Sequence, residues 1–107
     1  MDGRYRLSKY ITDTIHAGTF TLLQFNPTKS TGCFIDYTIK HDNNQRTGRI
    51  IATWNNQQVT FTDYASPVLG ILNCVSSFDY NTEHDRFLFK LTPNVNQVDV
   101  TLLVTTI

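Results

Sequence analysis

Hydrophobic and polar residues alternate along most of the chain with a period of two, beginning near Gly18. In an extended strand every second side chain lies on the same face, so this pattern predicts β-structure. The inward face of the clearest element carries four apolar side chains: Cys33, Ile35, Tyr37 and Ile39. We predict seven strands, which are Gly18–Phe25, Gly32–His41, Arg46–Trp54, Gln58–Asp63, Ile71–Tyr80, Arg86–Thr92 and Val98–Ile107.

Polar or proline-containing turns separate these strands about every ten residues, as in sandwich folds. The four-residue segment from Asp42 to Gln45 suits a hairpin turn. No long amphipathic helix appears, which argues against parallel α/β folds. The pattern therefore predicts an all-β, antiparallel β-sandwich or jelly-roll-like domain of about seven strands.

The first 17 residues precede the alternating pattern. Leu7, Ile11 and Ile15 recur at four-residue spacing, which allows one or two helical turns. Thr12 and Thr14 are β-branched and favour an extended arm equally well. We expect an N-terminal arm over residues 1–17, either packed on a neighbouring molecule or loosely ordered, and a single β domain over residues 18–107.

The chain is uncharged overall, with nine Lys and Arg against nine Asp and Glu in 107 residues. It therefore offers no long-range attraction to nucleic acid or to anionic lipid. No secretory signal and no apolar run of membrane-spanning length is present. We expect a protein made in the cytoplasm, with reduced cysteines and neither nucleic acid nor membrane as a partner.

The histidines and cysteines do not form a reactive constellation in the sequence. His16, His41 and His84 lie far apart, and none stands at zinc-like spacing to another histidine or cysteine. Cys33 and Cys74 are both predicted to face the core as buried thiols. A disulfide between them requires an oxidising compartment, and a catalytic thiol requires a partner histidine. We expect no metal and no cofactor.

The acidic residues offer one weak catalytic alternative. Asp36 and Asp63 would form a glycosidase-like carboxylate pair if their strands were neighbours. A structural use is the preferred interpretation, with Asp63 accepting hydrogen bonds in the following turn and Asp36 pairing with Arg46 across the hairpin. No glycine-rich phosphate loop or nucleophile elbow is present. We therefore expect no catalytic residues and a protein that is not an enzyme.

The strongest binding features lie on the central hairpin. Trp54 stands beside four amide residues, 55–58, a combination that suits a sugar site, a protein interface or a tryptophan that caps the core. Phe34 points outward, and Ile50 and Trp54 do so if Arg49 and Ile51 do not. This two-sided pattern indicates that a partner covers the outer face. The predicted interface residues are Leu7, Ile11, Ile15, Phe34, Ile50 and Trp54.

The same hairpin carries a resemblance to a known group of proteins. The segments Phe34–Ile39, Arg46–Ile51 and Val59–Asp63, within a block from Gly32 to Tyr64, resemble small β domains of tailed-bacteriophage virion proteins. Such domains occur in tail fibres, head fibres and capsid decoration proteins. The resemblance implies a virion component, commonly trimeric, that attaches through an N-terminal arm, and it implies no catalytic residues.

The chain begins with its own Met and has no shaft or repeats, so it looks more like a decoration protein than a fibre tip. The expected function is that of a non-enzymatic capsid decoration or cement protein located in the virion. Its expected partners are its own copies, as a homotrimer, and other virion proteins such as the major capsid protein. The alternative is a receptor- or carbohydrate-binding module associated with a tail or head fibre.

Overall fold

The protein, as a computed structural model, is described for residues 7–66 and 73–107, without the side chains of Leu7 and Ser8. Within these residues the chain forms strands and turns but no α-helix, and hence no helix that could cross a membrane. The strands are β1 Leu7–Ile15, β2 Phe20–Phe25, β3 Gly32–His41, β4 Asn44–Asn55, β5 Gln58–Ala65, β6 Cys74–Asn81, β7 Arg86–Pro93 and β8 Val98–Thr106.

These strands form two antiparallel sheets that pack against each other. The larger sheet has the order β1-β8-β3-β4-β5, and the smaller sheet has the order β2-β7-β6. The predicted all-β sandwich is confirmed, and each predicted strand is present, Gly32–His41 with the predicted bounds and the others with shifted ends. The predicted strand start at Ile71 and the inward position of Leu72 lie outside the described residues.

The segment predicted as an arm contains an eighth strand. β1 pairs with β8 over its whole length, from Leu7 opposite Thr106 to Ile15 opposite Val98. The helical alternative for Leu7–Ile15 is therefore wrong; the segment is extended, but it pairs within its own sheet and is not an arm. Ile11 and Ile15 are four positions apart, an even spacing, so both side chains point to the core side of the strand.

The core lies between the two sheets and is rich in aromatic rings. The centroid of the Trp54 ring lies 5.0 Å from that of Phe25 and 5.3 Å from that of Phe87. Phe78 and Phe89 continue the cluster with ring centroids 5.2 Å apart. The predicted inward faces of β3, β7 and β8 are confirmed, and so is the burial of both cysteines as free thiols.

A polar bridge joins the two sheets where β5 faces β6. The Tyr37 hydroxyl donates a hydrogen bond of 2.7 Å to Asp63, and the Ser76 hydroxyl donates one of 2.9 Å to the other oxygen of Asp63. The Arg46 guanidinium lies over the Tyr37 ring and donates to the Cys74 carbonyl at 2.8 Å. Asp63 therefore links strands of both sheets, rather than capping the turn that follows β5.

Tyr37 reaches Asp63 by passing over a glycine. It lies on β3 opposite Gly48 on β4, and Asp63 lies one strand further on β5. A Cβ atom on Gly48 would lie 2.6 Å from the Tyr37 hydroxyl oxygen and 2.7 Å from the Tyr64 carbonyl oxygen. The absence of a side chain at position 48 is thus what allows the bridge to close.

We expect the free energy of unfolding to fall between pH 9 and 12. Burial raises the pKa of the Cys33 thiol to about 12, and burial with the hydrogen bond to Asp63 raises that of Tyr37 to about 12. Both folded-state values exceed the ordinary ones of 9.0 and 10.0. As the pH rises, the unfolded chain loses these protons first, so stability present below pH 9 declines by up to roughly 1.4 kcal/mol per pH unit per group.

Urea unfolding at pH 8, 9.5, 10.5 and 11.5 under reducing conditions measures this decline. In a Cys33→Val variant the loss of stability between pH 8 and 9.5 should shrink, because Tyr37 contributes mainly above pH 10. A residual early loss is expected from Cys74, whose pKa burial also raises. The same pH profile in wild type and variant would contradict the assignment to Cys33.

Candidate interaction surface

The surface of the larger sheet that points away from the core is the candidate functional site, and we call it the outer face. It is built from alternate positions of β1, β8, β3, β4 and β5, whose partners across the sheet share one side. Its residues are Tyr10, Thr12, Thr14, Phe34, Asp36, Thr38, Lys40, Gln45, Thr47, Arg49, Ile51, Thr53, Thr60, Thr62, Tyr64, Asp99, Thr101, Leu103 and Thr105.

Large hydrophobic side chains are exposed mainly on this face. Tyr10 is 68% exposed, Tyr64 61%, Leu103 42% and Ile51 40%. Among the described residues only Phe61 and Val75 are exposed large hydrophobics elsewhere. Scattered apolar residues are normal on a protein surface, but a group on one side marks a site of association.

The strand register places these residues in continuous rows across the sheet. One row runs from Tyr10 through Leu103, Asp36 and Arg49 to Tyr64, one residue from each strand. Adjacent strands are about 4.8 Å apart, so the row extends for roughly 19 Å. The next row contains Thr105, Phe34, Ile51 and Thr62, and the row on the other side contains Thr12, Thr101, Thr38 and Thr47.

The charges at the centre of the face neutralise each other. Arg49 donates two hydrogen bonds, of 2.7 and 3.0 Å, to the two oxygens of Asp36. These hydrogen bonds hold the pKa of Asp36 below its ordinary value. The guanidinium also lies over the Phe34 ring, 5.6 Å from its centroid. The predicted pair between Asp36 and Arg46 is wrong, because Arg46 is on the core side of β4.

The predicted interface residues divide between this face and the core. Phe34 lies on the outer face, and Ile11 packs against the core from β1. Ile15, Ile50 and Trp54 are buried inside the sandwich, so they are not available to a partner, and the prediction that they form an interface is wrong. The side chain of Leu7 lies outside the described residues.

The wrong prediction for Ile50 on β4 has a simple physical cause. Ile50 stands opposite Ile35, whose side chain is in the core, and partners across antiparallel strands share a face. Ile50 is therefore inward, and Ile51 is outward opposite Phe34. The sequence alone left open whether Ile50 or Ile51 faces outward. The register of β4 with β3 shows that it is Ile51.

The sequence left three roles open for Trp54: part of a sugar site, part of a protein interface, or a cap on the core. The structure shows that Trp54 caps the core. Its indole N–H donates a hydrogen bond of 2.7 Å to the Ser30 carbonyl, and its ring packs against those of Phe25 and Phe87. Only its rim reaches the surface beside the β4–β5 turn. A sugar cannot stack on its face.

The candidate catalytic groups are not brought together. Asp36 is on the outer face, whereas Asp63 stands opposite the buried Ile50 on the core side, so the two carboxylates lie on opposite sides of the sheet. The glycosidase-like pair is therefore not formed. In residues 7–66 and 73–107 no three His, Cys, Asp or Glu side chains form a group that could hold a metal ion.

No protein-family model, curated protein or solved structure matches this chain. By its fold and its outer face the chain is an antiparallel β-sandwich whose larger sheet exposes four large hydrophobic side chains among polar ones.

Proposed function

We propose that the chain is a non-enzymatic structural protein of a tailed-bacteriophage virion, a capsid decoration or cement protein that binds the assembled particle as a homo-oligomer. The observation that carries this proposal is the outer face, where four large hydrophobic side chains are exposed together. The block that resembles virion domains, Gly32 to Tyr64, supplies β3, β4 and β5, and these strands make up more than half of that face.

The dimensions of the outer face suit this role. Five strands about 4.8 Å apart and about eight residues long, at about 3.3 Å per residue, cover roughly 600 Å². A typical stable interface buries about 800 Å² on each partner. The face can supply most of such a contact, and its neutral Asp36–Arg49 pair adds polar bonds without net charge.

The edges of the sheet are less suited to association. On β1, Lys9 and Asp13 alternate with outward residues and so point to the core side of this edge strand. On β5, the other edge strand, the Asp63 side chain also points to the core side. Inward-pointing charges on edge strands discourage pairing with another sheet edge. We therefore assign the contact with other copies or with the capsid to the face.

Leu103→Lys should weaken self-association and particle binding by tenfold or more. A buried leucine side chain contributes about 1.5–3 kcal/mol to an apolar contact, and a lysine there brings a desolvation cost as well. Sedimentation velocity measures the oligomer, and co-sedimentation with particles assembled without this protein measures attachment.

Val75→Lys is the matched control, because Val75 is an exposed aliphatic residue on the outer surface of the smaller sheet. It should bind as wild type does, and both variants should keep their melting temperatures. A monomeric wild-type protein that ignores particles, or equal binding by the two variants, would count against the proposal.

A further inference from the structure

Two adjoining grooves lie beside the β4–β5 turn and have no role in the proposed function. Their volumes are about 500 and 590 Å³, within the range of small-ligand sites. Trp54, Asn55, Gln57 and Tyr80 line both of them. Because they share these four residues, the two grooves form one continuous concave region beside the turn.

The turn carries four consecutive amide side chains that are all exposed: Asn55, Asn56, Gln57 and Gln58. None of the four makes a side-chain hydrogen bond to another residue of the described part of the chain. Each amide offers two N–H donors and one carbonyl acceptor. Such a group matches a ligand that presents many hydroxyls, each of which both donates and accepts.

An aromatic wall stands next to these amides. Tyr80 is half-buried, its ring centroid lies 5.1 Å from that of Phe87, and its hydroxyl donates a hydrogen bond to Asp85. Packing and this bond fix the orientation of the ring. An immobilised aromatic surface beside hydrogen-bonding groups suits a ligand with both apolar C–H faces and hydroxyl edges.

The charges around the grooves narrow the class of ligand. Asp85 and Asp79 are the only charged residues that line them within the described part of the chain, and Asp79 already accepts a hydrogen bond of 2.7 Å from Lys90. Among residues 7–66 and 73–107, no lysine or arginine lines the grooves to bind a carboxylate, sulfate or phosphate. The described lining therefore favours an uncharged ligand.

We propose that this region, the β4–β5 groove, binds an uncharged oligosaccharide. The amides of Asn55, Asn56 and Gln57 bond its hydroxyls, and the exposed part of the Tyr80 ring contacts its apolar faces. The site borders the outer face, since Thr53 and Thr60 also line one of the grooves, but its assigned residues lie on the β4–β5 turn and on β6, and the proposal does not depend on attachment to a virion.

An array of immobilised neutral, sialylated and sulfated oligosaccharides tests the class of ligand. We expect retention on neutral glycans alone. An amide NMR titration with the best neutral glycan should then shift resonances of residues 55–58 and 80–85. Retention only on anionic glycans, no retention on any neutral glycan, or shifts confined to other parts of the molecule would overturn the proposal.

Variants of the turn test the assigned residues. Asn56→Gly removes an amide and keeps the positive φ of 56° accessible, and Gln57→Ala removes a second amide from an exposed position. Each should weaken binding by roughly three- to tenfold. Asp42→Gly, at a turn residue with φ of 53°, is the matched control and should bind as wild type. Unchanged binding in the Asn56→Gly/Gln57→Ala double variant would overturn the assignment.

Discussion

Trp54→Ala should lower the free energy of unfolding by about 3–5 kcal/mol, the usual cost of removing a large buried aromatic side chain. The indole is only 6% exposed and packs against both Phe25 and Phe87. Its removal leaves a cavity and deprives the Ser30 carbonyl of the indole N–H that bonds it. Since Trp54 is the only tryptophan in the chain, circular dichroism rather than tryptophan fluorescence should follow the unfolding.

Trp54→Phe separates the two parts of this effect. It keeps an aromatic ring in the stack and loses the N–H, so we expect an intermediate loss of stability. Gln57→Ala, on the exposed turn nearby, should change stability by no more than about 0.5 kcal/mol. Wild-type stability in Trp54→Ala would contradict the core position of this side chain. The expected loss also explains why turn amides, and not Trp54, are the informative positions for glycan binding.

Gly48→Ala should be the second most damaging of the changes considered, at about 2–3 kcal/mol, as for overpacked core positions. The new methyl group would lie 2.6 Å from the Tyr37 hydroxyl oxygen and 2.7 Å from the Tyr64 carbonyl oxygen. The Tyr37 ring can swing away only by breaking its hydrogen bond to Asp63. The Tyr64 oxygen belongs to the backbone of β5 and cannot move without disturbing the pairing with β4.

A double-mutant cycle checks this mechanism by urea unfolding. In a Tyr37→Leu background the ring is gone, so Gly48→Ala should cost at least about 1 kcal/mol less than in wild type. The loss of stability that remains in this background measures the clash between the new methyl group and the Tyr64 carbonyl oxygen. Strict additivity of the two substitutions would show that the tyrosine and the glycine do not interact.

The strands were predictable where one face is apolar and the other polar. In β8, Val98, Val100 and Leu102 alternate with polar or exposed positions, so only one orientation buries them. In β4, Ile50 and Ile51 are adjacent, and either can face the core when the strand is read alone. Only pairing with β3, which a local pattern does not contain, decides between them.

The N-terminal strand shows a second limit of the same kind. A spacing of four residues, as between Ile11 and Ile15, fits one face of a helix and one face of a strand alike. The decision comes from β8, which lies more than eighty residues later in the chain and offers β1 a partner along its whole length.

The outer face was only partly predictable for a related reason. Phe34 was assigned to it from the hairpin alone. Tyr10, Leu103 and Tyr64 come from three strands that are distant in sequence, and they share a row only because β8 lies between β1 and β3. A surface assembled by strand order cannot be read from the residues of any one segment.

The position of β8 between β1 and β3 also sets the order in which the larger sheet can form. During synthesis the hairpins of β3, β4 and β5 can pair as they leave the ribosome, but β1 must wait for the last strand of the larger sheet. Such distant pairing slows folding. Until β8 is inserted, the edges of β1 and β3 that it will cover are unpaired and open to other chains. Molecular chaperones should therefore affect the yield of folded protein most at this stage.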